Sequence, residues 1–231
     1  QQAFEKRKVK FHLSTKVTAV RDGKVIAEHE GEQLEIPFDK LLVSVGRRAV
    51  TDGLGLETVG VELQRGAIVV DEHLETSVPG IYAVGDVNGV SMLAHTAARE
   101  GQVAVHHITD YPDAMSYRAI PGIVYTDPEI ASVGQTEQEL RTAGVDYQVH
   151  RVPMSLSGRF VIENEQGNGF CKLLTDSEGV ILGAHMLGNG SSEILVPAIM
   201  AVEQRMTLAE LARIVFPHPT VSEIVRVAAL S

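Results

Sequence analysis

The sequence predicts an α/β protein that ends in an α+β domain, and three observations carry that prediction. Leu41-Leu42-Val43-Ser44-Val45-Gly46 is an almost continuous apolar run, the kind found in strands buried on both faces of a parallel sheet. Residues 66–108 read as strand, turn, strand and then a long helix. From residue 117 onward short alternating strands are interleaved with amphipathic helical stretches.

Each element has a local reason. Residues 9–13 and 16–20 alternate apolar and polar side chains as half-buried strands do, and Asp22-Gly23 is a strong two-residue hairpin signal before a further strand at 24–27. Asp39-Lys40 leads into the apolar run, which is expected as a buried strand and ends at Gly46-Arg47-Arg48. A strand is expected over 66–71. The Pro79-Gly80 turn feeds a short strand at 81–84, which ends at Gly85-Asp86. A loop then opens a helix expected from Met92 to Ile108, where Ala94, Ala97, Ala98 and Ala104 permit close packing. His106 and His107 suit the negative end of its dipole and are given no chemistry. Farther on, strands are expected at 130–133, 147–152, 170–175 and 180–187, and helices at 137–143, 192–203, 208–213 and 222–229. Asp176-Ser177-Glu178-Gly179 reads as a hairpin turn.

Composition narrows the classes. With 231 residues and 44% hydrophobic content the chain can build a globular core, and no apolar run is long enough to span a membrane. A net charge of −10 argues against a nucleic-acid footprint. The single cysteine, Cys171, excludes a disulfide-stapled scaffold and suits a reducing cytoplasm. The first residues are polar and lack both a signal-peptide pattern and a methionine, so a chain cut from something longer is expected.

Two stretches carry chemistry. In Phe216-Pro217-His218-Pro219-Thr220-Val221-Ser222-Glu223 the prolines hold the backbone around His218 extended. A carboxylate curling back from Glu223 would make that imidazole an oriented general base. In Val84-Gly85-Asp86, Asp86 sits at the carboxyl end of a strand, where open α/β sheets bind ligands, and a helix N-terminus follows with unpaired N–H groups. Gly188-Asn189-Gly190-Ser191-Ser192-Glu193 half-imitates a dinucleotide loop, but Glu193 would oppose a pyrophosphate. A helix cap made by Asn or Ser is expected there instead. His185 is expected to be structural, and the remaining histidines lack metal-ligand spacing.

Several blocks together resemble the FAD-dependent disulfide reductases. Thr76-Ser77-Val78-Pro79-Gly80-Ile81-Tyr82-Ala83-Val84-Gly85-Asp86 resembles their second flavin motif, and His218-Pro219-Thr220-Val221-Ser222-Glu223 their dimer-interface signature. Met92-Leu93-Ala94-His95, Val124-Tyr125-Thr126-Asp127-Pro128-Glu129 and Gly183-Ala184-His185-Met186-Leu187-Gly188 look most like the members that oxidise dihydrolipoamide. The resemblance implies three parts: residues 1–48 as the tail of an NAD-binding domain, 49–116 as a central and FAD-binding region, and 117–231 as an α+β dimer-interface domain. It implies FAD contacts from Asp86 and from the backbone of Met92, Leu93, Ala94 and His95, and NAD-side positions at Gly46 and Val17. His218 is implied as the base that takes a thiol proton beside the partner subunit's flavin, with Glu223 fixing its tautomer. It also implies a homodimer serving lipoyl groups of a 2-oxo-acid dehydrogenase complex. The family's two Gly-x-Gly-x-x-Gly fingerprints and its Cys-x-x-x-x-Cys pair are missing, and Phe216 stands where a further histidine is common. The chain is therefore expected to be the C-terminal half of a reductase, inactive and without tightly held FAD by itself. A glutathione- or mercuric-type reductase, or a non-enzymatic dimerisation module, stay open as alternatives.

Overall fold

In the computed structural model, which describes residues 1–165 and 167–231, the chain divides into two compact units, Gln1–Arg48 and Ala49–Ser231.

The first unit has a short helix α1 (Gln2–Lys6) and a meander of β1 (Lys16–Arg21), β2 (Lys24–His29) and β3 (Glu32–Pro37). Asp22 and Gly23 sit at φ 51° and 70°, so the hairpin has left-handed residues at both turn positions, as expected for Asp-Gly. β3, which alternates as Gln33, Leu34, Glu35, Ile36, escaped the sequence reading. Two expectations need correcting. Residues 9–13 form no strand, and neither does the run from Leu41 to Gly46. Leu42 and Val45 are 88% and 93% exposed rather than buried. A parallel strand is defined by neighbours on both sides, and the three strands of this unit pair with one another instead.

The second unit opens with α2 (Leu56–Val59), the two-residue strands β4 (Leu63–Gln64) and β5 (Ala67–Ile68), a 3₁₀ turn at Gly85–Asn88 and α3 (Ala94–Ile108). The strands expected at 66–71 and 81–84 shrink to β5 and to isolated bridges between Val70 and Thr76 and between Glu75 and Tyr82. Short extended pieces laid against one helix have too few neighbours for ladders. α3 starts at Ala94, because Leu93 is still extended (φ −127°, ψ 134°). Its far end is stapled by side chains. Arg99 donates two hydrogen bonds to Asp113 (2.6 and 2.7 Å), His106 meets the same carboxylate at 2.7 Å, and His107 stacks on His73. The Arg99 guanidinium, and then His106, hold the Asp113 carboxyl well below the usual carboxylate range.

The remainder is built on β6 (Gly122–Val124), β7 (Ile130–Gly134), α4 (Glu137–Ala143), β8 (Gln148–Pro153), a 3₁₀ turn at Met154–Leu156, α5 (Gly158–Glu163), β9 (Phe170–Thr175), β10 (Ile181–Leu187), α6 (Ser191–Ile194), α7 (Val196–Glu203), α8 (Leu208–Arg213) and α9 (Ile224–Ala229). The five strands form an antiparallel sheet in the order β6-β7-β10-β9-β8. Its core gathers Leu173, Ala184, Met186, Leu195, Val225 and Ala228, all at most 1% exposed. β6 and α5 were not foreseen. The helix expected over 192–203 is two helices, since Pro197 in the first turn of α7 has no N–H to continue α6. Neither Asn189 nor a serine caps α6. The N-cap is Gly190 in the left-handed region, and the carboxylate of Glu129, from a distant segment, accepts the Ser192 N–H at 3.0 Å. α4 and α8 carry complete capping boxes, Thr136 with Glu139 and Thr207 with Glu210.

Leu173→Ala, in the middle of the sheet, should cost about 2–5 kcal/mol of unfolding free energy, whereas Thr207→Ala should cost about 1 kcal/mol through the lost cap. Denaturant unfolding checks this contrast, and equal effects would mean that β9 does not bear on the core as described.

Candidate active site

The segment from Phe216 to Glu223 hangs from the start of α9. Ile224 and Val225 are fully buried and anchor that helix on the sheet, and Phe216 packs against the same core. Glu223, at the N-cap position, turns its carboxylate back along the loop. One oxygen meets His218 Nδ1 at 2.9 Å, and the other accepts the Thr220 N–H at 3.3 Å. Thr220 Oγ1 donates to the Pro217 carbonyl (2.7 Å), and buried Ser157, the N-cap of α5, donates its hydroxyl to the Thr220 carbonyl (3.1 Å). The loop is thus tied down at four points while the His218 side chain stays 79% exposed and that of Glu223 only 21%. An ionised carboxylate only accepts, so the hydrogen on a neutral His218 ring belongs on Nδ1, leaving the Nε2 lone pair facing outward. The bond to His218, partly offset by burial, lowers the Glu223 carboxyl below its ordinary value, and the Thr220 N–H adds to it.

The second cluster surrounds the turn Gly85–Asn88. Gly85 sits at φ +78°, in the left-handed region that favours glycine, and a Cβ there would press on the Ala97 methyl at 3.2 Å. Asp86 is exposed, and among the described residues its carboxylate has no hydrogen-bond partner. Its neighbour across the turn is a residue the sequence reading missed. Glu100, 0% exposed, accepts hydrogen bonds from the Gly85 N–H (2.5 Å), the Asn88 amide (3.0 Å) and the Tyr117 hydroxyl (2.7 Å). Burial first, and then Glu100, push the Tyr117 phenol above its ordinary value. The signal was faint: a glutamate on a helix reads as a solvated face until the fold encloses it.

At the head of α3 no side chain caps the N-terminus, so the first-turn N–H groups are open to a ligand. Met92 is half-buried, and Leu93, Ala94 and His95 are exposed. The His95 ring is engaged with the Pro121 carbonyl at 3.0 Å, which leaves its backbone as the free group. An unpartnered carboxylate beside a row of open amides suits a ligand bearing both hydroxyls and an electron-rich polar edge, as FAD does. In the first unit Val17 is 59% exposed, and Gly46 (φ +121°) has open space around it. No donor set gathers at either among the described residues. Cys171 is fully buried in β9, and burial pushes its thiol up to about 12, so it is a packed side chain rather than a nucleophile. Half-buried His185 bonds to the Gln135 carbonyl, and burial lowers its pKa. Among the described residues no group of His, Cys, Asp or Glu is arranged to hold a metal ion, and no helix is long and apolar enough to cross a membrane.

Comparison with known proteins places the chain. The pyridine nucleotide-disulphide oxidoreductase profile matches residues 1–101, and the dimerisation-domain profile of the same proteins matches residues 120–229. The mitochondrial dihydrolipoyl dehydrogenase of Dictyostelium discoideum is 41% identical over 241 residues, covering 100% of this chain and 49% of the relative. Dihydrolipoyl dehydrogenase 3 of Pseudomonas aeruginosa is 38% identical, with 100% and 50% covered. The crystal structure of LpdA from Mycobacterium tuberculosis superposes with a TM-score of 0.81 at 30% identity, covering 99% of this chain and 50% of that one. The chain belongs to the pyridine nucleotide-disulphide oxidoreductase family. It spans about half the length of the curated relatives it matches.

Because the folded Glu223 carboxyl titrates below the unfolded one, its stabilising contribution is fully present above the unfolded value of about 4.3 and is lost as pH falls through the lower folded value. Removing the imidazole with His218→Ala should return Glu223 toward the ordinary carboxyl range in an NMR titration. A Glu223 that already titrates normally in the unaltered chain would mean the 2.9 Å contact is not held in solution.

Proposed function

We propose that this chain supplies the C-terminal portion of a dihydrolipoyl dehydrogenase, in which His218 is the general base that takes a thiol proton from dihydrolipoamide. The observation that carries the reading is the His218–Glu223 pair: an imidazole bonded through Nδ1 to a half-buried carboxylate, on a side chain that is mostly exposed and whose other nitrogen has no hydrogen-bond partner among the described residues. In the proposed step the substrate S–H bond breaks, its proton passes to His218 Nε2, and the sulfur keeps the electron pair as a thiolate. Glu223 then faces an imidazolium across 2.9 Å and stabilises it, so the base gains strength without a second proton leaving.

FAD, when bound, would supply the two-electron redox chemistry between the dithiol and NAD⁺. Asp86 is assigned to its sugar-like hydroxyls, and the backbone of Met92, Leu93, Ala94 and His95 to its pyrimidine edge. The amides at the head of α3 favour negative charge arriving there. Gly46 and Val17 are kept as NAD-side positions on the resemblance alone. The redox disulfide is assigned to residues outside this sequence, because the only cysteine here is buried and unreactive.

An outward-facing base needs a substrate site formed by something else, which supports a homodimer joined through residues 117–231, each subunit lending His218 to its neighbour. The dimerisation-domain match over residues 120–229 supports the same arrangement. Lipoyl groups of a 2-oxo-acid dehydrogenase complex are the proposed substrate carriers. A reducing cytoplasm is proposed from the free, buried thiol; the Dictyostelium relative is named as mitochondrial.

In the full-length enzyme, His218→Gln should lower dihydrolipoamide turnover by roughly 10²–10⁴-fold, the usual contribution of a general base, while the flavin stays bound. An unchanged rate with flavin bound would end the assignment.

A further inference from the structure

Glu100 takes no part in the proposed chemistry, yet it is the only carboxylate among the described residues that is 0% exposed. Among the described residues no lysine, arginine or histidine bonds to it. Instead three neutral donors converge: the Gly85 N–H and the Asn88 amide on one oxygen at 2.5 and 3.0 Å, and the Tyr117 hydroxyl on the other at 2.7 Å. Burying a carboxylate is costly, so it persists only where its bonds organise something.

What it organises is the turn that carries Asp86. Gly85 and Asn88 are the first and last residues of the 3₁₀ turn Gly85–Asn88, and Glu100 grips both with a single oxygen. Asn88, oriented in this way, accepts the Val90 N–H at 3.0 Å and so fixes the segment leading to α3. Gly85 lies flush against Ala97 on the same helix. Asp86, between the two gripped residues, is left exposed and, among the described residues, without a hydrogen-bond partner. We infer that Glu100 is a positioning residue. By its reach more than by its charge, it holds the Gly85–Asn88 turn so that the Asp86 carboxylate and the head of α3 face one ligand together. This rests on the flavin reading of Asp86 given above.

Reach and charge can be separated by substitution. In Glu100→Gln the carbonyl oxygen can still accept from Gly85 and Asn88, and the half-exposed Tyr117 hydroxyl can turn to accept from the new amide. Glu100→Asp keeps the charge but withdraws the oxygen by one methylene. In the flavin-loaded full-length enzyme, FAD dissociation and the visible circular dichroism of the bound flavin are measured, with thermal midpoints recorded alongside. Asp86→Ala tests the flavin reading itself and should raise the dissociation constant roughly tenfold or more, the loss of a charged hydrogen-bond acceptor. Glu100→Asp should do the same and alter the flavin dichroism, Glu100→Gln should stay within roughly threefold of the unaltered enzyme, and Tyr117→Phe should leave the flavin signal unmoved. If Asp86→Ala has no effect, the flavin reading falls. If Asp86→Ala weakens binding but Glu100→Asp does not, the positioning inference falls alone. It falls also if Glu100→Gln behaves like Glu100→Asp or fails to fold, because charge rather than reach would then be what the turn requires.

Discussion

Backbone contact around the central strand of the five-stranded sheet is the constraint on which the second unit depends. β10 pairs with β7 on one side and β9 on the other, and both pairings approach too closely for side chains at certain points. A Cβ at Gly183 would collide with the Gln135 carbonyl, one at Gly134 with the Leu182 carbonyl, and one at Gly169 with the Leu187 carbonyl. These glycines let β10 sit deep enough for Ala184 and Met186 to enter the core, with α7 packed against the strand. Ile224 and Val225, each worth about 1.5–3 kcal/mol when fully buried, fasten α9 to the same sheet at β8 and β9. Glu223 occupies the position before Ile224, so the carboxylate that orients His218 is anchored by core packing as well as held by its own loop.

The two clusters share a physical device. In each, one carboxylate is gripped by donors so that a neighbouring group is left exposed. Glu223 holds His218 by Nδ1 and leaves Nε2 outward. Glu100 holds Gly85 and Asn88 and leaves Asp86 outward. Ser157 has a related part at the first cluster, where one buried hydroxyl serves both the cap of α5 and the Thr220 carbonyl.

Local chemistry made much of this legible. The capping boxes at Thr136 and Thr207 mark helix starts that sequence and structure place alike, and alternation located β7, β8, β9 and β10 to within a residue or so. The spacing of His218 and Glu223, with proline on either side of the histidine, implied their contact, because five residues of constrained chain leave the carboxylate few other places to go.

Sequence by itself therefore determined the elements whose stability is local, and the pair of side chains that a short rigid segment brings together. Tertiary structure alone decided whatever depends on distant partners. The apolar run ending at Gly46 is not a strand here, because a ladder needs neighbours that its unit does not provide. α6 is capped by Glu129 across the fold rather than by its own loop. Glu100 becomes a buried anchor only because Gly85, Asn88 and Tyr117 close over it, and the free energy of burying a charge is set by surroundings that no local pattern of residues records.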